Sequence, residues 1–233
     1  MAADDITVER DTTPVDNPLE TEVTEARDLP VWVRALDRFR IIIDAISEIG
    51  GWIAARLIIV IFVIGILNVI LRYYGRATGE TLVTNLWIDS QWQIYALLFL
   101  LGFPYGVKHQ LNPRVDFWHV NFPKRRKAWL DLILHSVLLV PFTVLAVRVV
   151  WPFAITAMGR RFDGSWPTWK VWQIWDVSAN PDGLPVGPIK LMLLVGFVLL
   201  GMQAVAEIIR NLIVLLGHDE VLVADFDPEI RVE

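Results

Sequence analysis

Four stretches of this chain are apolar for longer than an ordinary soluble core element needs. They cover residues 53–71, 86–107, 128–151 and 189–216. A helix rises about 1.5 Å per residue and a bilayer's hydrocarbon layer is about 30 Å thick, so each stretch is long enough to cross. Inside hydrocarbon every backbone N–H and C=O must be satisfied within the protein, which makes these stretches helices. The expected fold is an all-α integral membrane protein with four transmembrane helices. Charged residues make up only 20% of the chain, below the roughly 25% of a soluble domain, which agrees with that reading. With no cysteine anywhere, disulfides, thiolate metal sites and cysteine nucleophiles are excluded.

The flanks differ from the apolar blocks. Residues 1–30 hold nine acids against Arg10 and Arg27, a net of −7 within a chain total of −5. They have no basic n-region and no apolar h-region, so they are not a cleavable signal peptide; they read as a disordered acidic tail. Residues 31–50 carry Trp32, Leu36, Phe39, Ile43, Ile46 and Gly50 at steps of three and four. Arg34, Asp37, Arg38, Arg40, Asp44 and Glu48 fill much of the other side. This pattern predicts an amphipathic helix lying on the membrane surface or against a partner helix. Residues 51–217 then form the four-helix membrane domain, and 218–233 a second tail.

Basic residues set the orientation. Lys108, Arg114 and 124–127 lie between spans two and three, with Asp116 the only acid there. Together with Arg34, Arg38, Arg40, Arg56 and Arg210 they place eleven cations on one side, against seven on the other. The positive-inside rule then puts both termini and the 108–127 loop in the cytoplasm of a bacterial inner membrane. The opposite loop contains WPTWKVWQIW, residues 166–175, with Trp166, Trp169, Trp172 and Trp175 three apart. On a helix these indoles would cover half a cylinder. The expectation is a short helix at the outer interface, anchored by its tryptophans. One side of that helix is then free to meet a protein, with Arg160 and Arg161 just before it to steer a partner.

Polar residues within the spans admit two readings each. Asn68 and Arg72, four apart near the end of span one, suit a helix–helix hydrogen bond and a side chain snorkelling to the interface. His135 stands alone in span three, whereas a membrane haem needs two axial ligands, so a packed polar contact is the reading. Gln203, Glu207 and Asn211 share one face of span four, with Arg210 beside Glu207. That face is expected to meet a partner helix, with a local Glu207–Arg210 pair. Nothing in the sequence forms a metal cluster, a phosphate loop or a nucleophile–base arrangement, so neither a cofactor nor an enzymatic activity is expected, and no nucleic-acid partner.

Five segments in order carry a resemblance. They are LNVILRYYGR, DSQWQIYALLFLLGFPYGVK, PRVDFWHVNFPKRRKAWLDLI, PDGLPVGPIK and QAVAEIIRNL. Together they resemble the small membrane subunit of tripartite ATP-independent periplasmic (TRAP) transporters over residues 50–216. The resemblance implies a secondary uptake system for organic acids, usually driven by a sodium gradient. A periplasmic binding protein delivers substrate, and a large multi-span subunit carries it inward. The small subunit is a scaffold for the large one and a candidate docking surface for the binding protein. On this reading Asn68, Arg72, Asp89, Arg114, Asp116 and Arg210 are structural positions. Two alternatives stay open: an autonomous small carrier or channel, and a membrane anchor of a redox enzyme.

Overall fold

The structure, a computed structural model, describes residues 30–111 and 122–218. Four long helices follow one another: α1 (Val31–Thr78), α2 (Asn85–Lys108), α3 (Lys124–Ala157) and α4 (Gly187–Leu215). Expectations for the two tails, and for Arg114 and Asp116, lie outside the described residues. The helices alternate in direction. Residues near 50, 108, 124 and 215 therefore gather at one end, called the basic end here, and the 159–186 loop caps the other, the tryptophan end.

α4 is the centre of the bundle. It packs against each of the other three helices, while α1 also packs along α2. Of its most apolar window 44% is buried, against 11% for α1 and for α3. The small residues Ala204 and Ala206 and the branched Ile209 and Ile213 provide that buried surface. By length and composition three helices, α1, α3 and α4, are long and apolar enough to cross a membrane. α2 has the length, about 36 Å for its 24 residues. Its first half, however, carries Asp89, Gln91 and Gln93 among the apolar residues.

The expected surface helix and the first span are one uninterrupted helix of 48 residues. Gly50 and Gly51, where a boundary was expected, lie inside it. They serve close packing. A Cβ on Gly51 would overlap the Tyr105 ring, and one on Gly50 would come to 3.0 Å from the Leu101 carbonyl oxygen of α2. The faces of the first twenty residues also differ from simple amphipathic packing. Val33, Arg40, Ile43, Asp44 and Ser47 turn into the protein, while Trp32, Phe39, Ile41 and Ile42 stay exposed. The polar stripe has a polar partner on α4, so it is the side that is buried.

The expected helix over the tryptophans is reduced to a single 3₁₀ turn, Val171–Gln173. Short side chains compete for the backbone on its N-terminal side. The Ser165 amide donates to Asp163 Oδ1 at 2.9 Å and the Lys170 amide to Thr168 Oγ1 at 3.2 Å. Further on, Asp176 fixes the chain: its amide donates to the Ala157 carbonyl, and its carbonyl accepts from Val186 and Gly187. The stretch left between these points is too short to offset the cost of nucleating a helix.

α3 contains a π-helical turn at His135–Leu139, directly before Pro141. Proline lacks an amide proton and crowds the carbonyl four residues back, and a wider turn relieves that crowding. His135 Nδ1 bonds the Asp131 carbonyl of its own helix at 2.6 Å.

Candidate functional site

Two polar clusters, one at each end of the bundle, organise the chain. At the basic end, Asp44 of α1 is the hub. Its Oδ2 accepts from Arg40 Nη1 at 2.9 Å and from Arg210 Nη2 at 3.3 Å, and its Oδ1 accepts from Gln203 Nε2 at 2.9 Å. The Ser47 hydroxyl donates to Gln203 Oε1 at 2.6 Å, so the single amide of Gln203 is used at both atoms by α1. Glu207 pairs with Arg210 at 3.3 Å, and Arg40 with Asp37 at 2.9 Å. Asn211 donates to the Glu207 carbonyl at 2.8 Å. Gln203, Arg40, Glu207 and Asp44 are all nearly inaccessible, at 0–3%. Burying charge is costly unless each charge meets its opposite and the spare lone pairs are satisfied. Here two arginines face three carboxylates, and the amide and hydroxyl fill the remaining positions.

The Gln203–Glu207–Asn211 face, expected to meet a partner helix, has α1 of this same chain against Gln203, and the local Glu207–Arg210 pair is present. α1 occupies that face with its own polar stripe. Arg40, Asp44 and Ser47 are the residues that sequence reasoning missed. The signal was present as two i, i+4 polar pairs, Arg40–Asp44 and Gln203–Glu207, on helices otherwise rich in Ile and Leu. Beside this cluster, at the start of the 108–127 loop, Lys108 and His109 both bond Glu48 Oε1, at 2.7 and 2.6 Å, tying α2 to α1.

At the tryptophan end, Asp89 of α2 holds the loop that leads into α4. Its Oδ1 accepts from Asn180 Nδ2 and from Trp92 Nε1, both at 3.1 Å. Its Oδ2 accepts from the Leu184 amide at 3.0 Å, and the Ser178 hydroxyl adds a further bond. Asp89 is 1% exposed. Gly183 is required for this approach, because any Cβ there would overlap both Asp89 Oδ2 and Ser178. Two more α2 side chains reinforce the loop: Asn85 Nδ2 donates to the Pro181 carbonyl at 2.9 Å and Gln93 Nε2 to that of Pro185 at 3.0 Å. PDGLPVGPIK thus lies as a strap across the top of α2. Further along the span, Asn68 Nδ2 donates to Gln91 Oε1 at 3.1 Å, a direct α1–α2 hydrogen bond.

The tryptophans divide into two groups. Trp166, Trp169 and Trp172 are exposed, Trp169 most of all at 76%. Trp169 and Trp172 stack edge to face with ring centroids 5.4 Å apart, and Lys170 Nζ lies 5.5 Å from the Trp169 ring centre. Trp175 is half-buried, and its Cβ lies where Gly187 leaves room at the start of α4. Arg160 is turned inward onto the Gly164 carbonyl at 3.0 Å, whereas Arg161 is exposed. Hydrogen bonds from Ser165 hold the Asp163 carboxyl below the usual carboxylate range. Arg72 and Arg76 line a separate cavity of about 450 Å³ with Glu80 and Ile88.

A family profile described as "Tripartite ATP-independent periplasmic transporters, DctQ component" matches residues 61–213. The chain belongs to that family. It is a TRAP transporter small permease component, and a membrane protein. The match runs from within α1 almost to the end of α4, and so includes the Asp89 strap and Gln203, Glu207 and Arg210. No curated protein and no solved structure gives a significant match.

Proposed function

We propose that this DctQ component is a rigid, non-transporting scaffold in a binding-protein-dependent importer of organic acids. It braces the large membrane subunit and presents its tryptophan end to the periplasmic binding protein. All four helices cross the inner membrane, with both termini and the 124–127 segment in the cytoplasm. The observation that carries the scaffold reading is the use already made of the polar groups. Among the described residues, one buried side-chain polar atom, His218 Nδ1, lacks a hydrogen-bond partner. A carrier needs polar groups that exchange partners as substrate passes, near the midplane and beside broken helices. Here the buried carboxylates Asp44, Asp89 and Glu207 lie toward the two ends of the bundle and already have partners within the chain. The exposed sides of α1 and α3, including Ile58, Ile59, Phe62, Leu138, Phe142 and Leu145, are aliphatic and aromatic. They suit contact with lipid and with the helices of a larger subunit.

Reconstitution tests this reading. Uptake in proteoliposomes should require this chain, the large subunit and the binding protein together. The purified chain alone should bind no transported acid saturably. Specific binding by the isolated chain would favour an autonomous carrier and remove the scaffold proposal.

A further inference from the structure

Lys124, Arg125, Arg126 and Lys127 open α3 without an acid in the first turn. None of the four forms an ion pair with a described residue. The first three are exposed. The buried carboxylates at the two ends of the bundle are partnered within the chain, whereas these four neighbouring cations have no counter-charge among the described residues. A cavity of about 270 Å³ joins it to the last turn of α4, lined by Lys124, Arg125, Val214, Leu215, Leu216 and Gly217. One wall therefore offers two cations and the other three aliphatic side chains. Further along both helices, Trp129, Leu130 and Ile133 of α3 and Leu212 of α4 are exposed.

We propose that this cavity binds the headgroup of an anionic phospholipid, its phosphate between Lys124 and Arg125 and its acyl chains against the exposed apolar residues of α3 and α4. Charge complementarity selects the anion, and the aliphatic wall selects an anion attached to hydrocarbon. An acidic peptide would neutralise the cations but bring its own charges against Leu215 and Leu216. A zwitterionic headgroup brings a cation back to a site that already holds two. The anionic lipid satisfies both walls, and it is the local solvent of a membrane protein.

The test uses the full chain purified into mixed micelles of phosphatidylglycerol and phosphatidylcholine in equal amounts, with retained lipid counted by native mass spectrometry. Phosphatidylglycerol should be retained in preference. The double variant K124Q/R125Q should lower that preference about tenfold or more, the scale expected for two basic side chains at an anionic surface. The variant R126Q/K127Q, outside the cavity, should lower it less than about threefold. Circular dichroism checks that each variant folds, and the single changes K124Q and R125Q read the same ratio should the double variant fail to fold. An unchanged preference in K124Q/R125Q overturns the proposal. Equal losses in the two double variants would mean diffuse attraction to basic residues, and also overturn it. Displacement of the lipid by millimolar inorganic phosphate would mark a free-phosphate site instead. The double change Asp219→Asn with Glu220→Gln should leave retention unchanged. A gain of about tenfold would identify the following acidic segment as the occupant and exclude the lipid.

Discussion

Gln203 Nε2 donates to Asp44 Oδ1 at 2.9 Å, across 159 residues of sequence and between two helices rich in Ile and Leu. This bond sits at the middle of the cluster that fastens the first part of α1 to the central helix. It also fixes their register, because Ser47 bonds the other atom of the same amide.

Removing the hub should therefore be costly. Asp44→Ala removes the carboxylate that Arg40, Arg210 and Gln203 share and leaves their donors on it unmatched, and loss of one partner in such a cluster costs about 3–5 kcal/mol. Gln203→Met keeps the volume and the ion pairs, removes the amide's hydrogen bonds to Asp44 and Ser47 and should cost about 1–3 kcal/mol. Thermal unfolding of the purified variants in detergent should rank Asp44→Ala well below Gln203→Met. Indistinguishable midpoints would mean that the network does not hold α1 to α4.

Asp89→Asn should loosen the strap without unfolding the bundle. The carboxylate accepts from four groups, and an amide in its place must turn its NH₂ toward at least one donor. An unsatisfied donor of this kind costs about 1–3 kcal/mol. Hydrogen exchange should rise at the Leu184 amide and its neighbours while the middle of α4 stays protected. Gly183→Ala should give the same local pattern, by overlap instead of lost bonding.

The tryptophans should separate by role. Trp175→Ala removes a half-buried side chain at the start of α4 and should lower stability by roughly 1–3 kcal/mol. Trp166→Ala, Trp169→Ala and Trp172→Ala should stay within about 0.5 kcal/mol of the parent. If these three exposed indoles contribute to docking, one or two of them should shift uptake toward higher binding-protein concentration, as an aromatic anchor does. Four assembled variants with unchanged concentration dependence would leave these indoles a membrane-belt role alone.

Topology can be read with single cysteines, since the chain has none of its own. Lys124→Cys and Phe162→Cys suit the purpose, because Phe162 is fully exposed and Lys124 lies at the opposite end of α3. An impermeant reagent added to intact cells should label position 162 and spare 124. The reverse pattern would invert the proposed orientation.

Much of the architecture was legible because it depends on length and hydropathy. Four apolar stretches gave four helices, and the order of five segments pointed to the family. Features set by helix-to-helix approach were not legible. The change from amphipathic to wholly apolar pattern after Gly50 suggested a boundary, yet the helix runs on, and the missing Cβ of Gly50 and Gly51 admits Leu101 and Tyr105. The polar side of 31–50 suggested solvent, because burial of Arg40 and Asp44 makes sense only once Gln203 and Arg210 stand opposite. The spacing of the tryptophans suggested a helix, and the hydrogen bonds of Asp163, Thr168 and Asp176 left too little chain for one. Asp89 was visible as a polar residue within an apolar run, but its role depends on a loop some ninety residues later.

The uninterrupted course of α1 has a mechanical consequence. Forty-eight residues extend about 72 Å, more than twice the thickness of the hydrocarbon layer. Even at a tilt of about 40° the hydrocarbon occupies only some 39 Å of that length, so a long portion must project beyond it. No hinge separates the projecting portion from the embedded one. A push or twist applied near Trp32 is therefore carried by one continuous backbone, past the Asp44 ties to α4, toward Asn68 and its contact with α2.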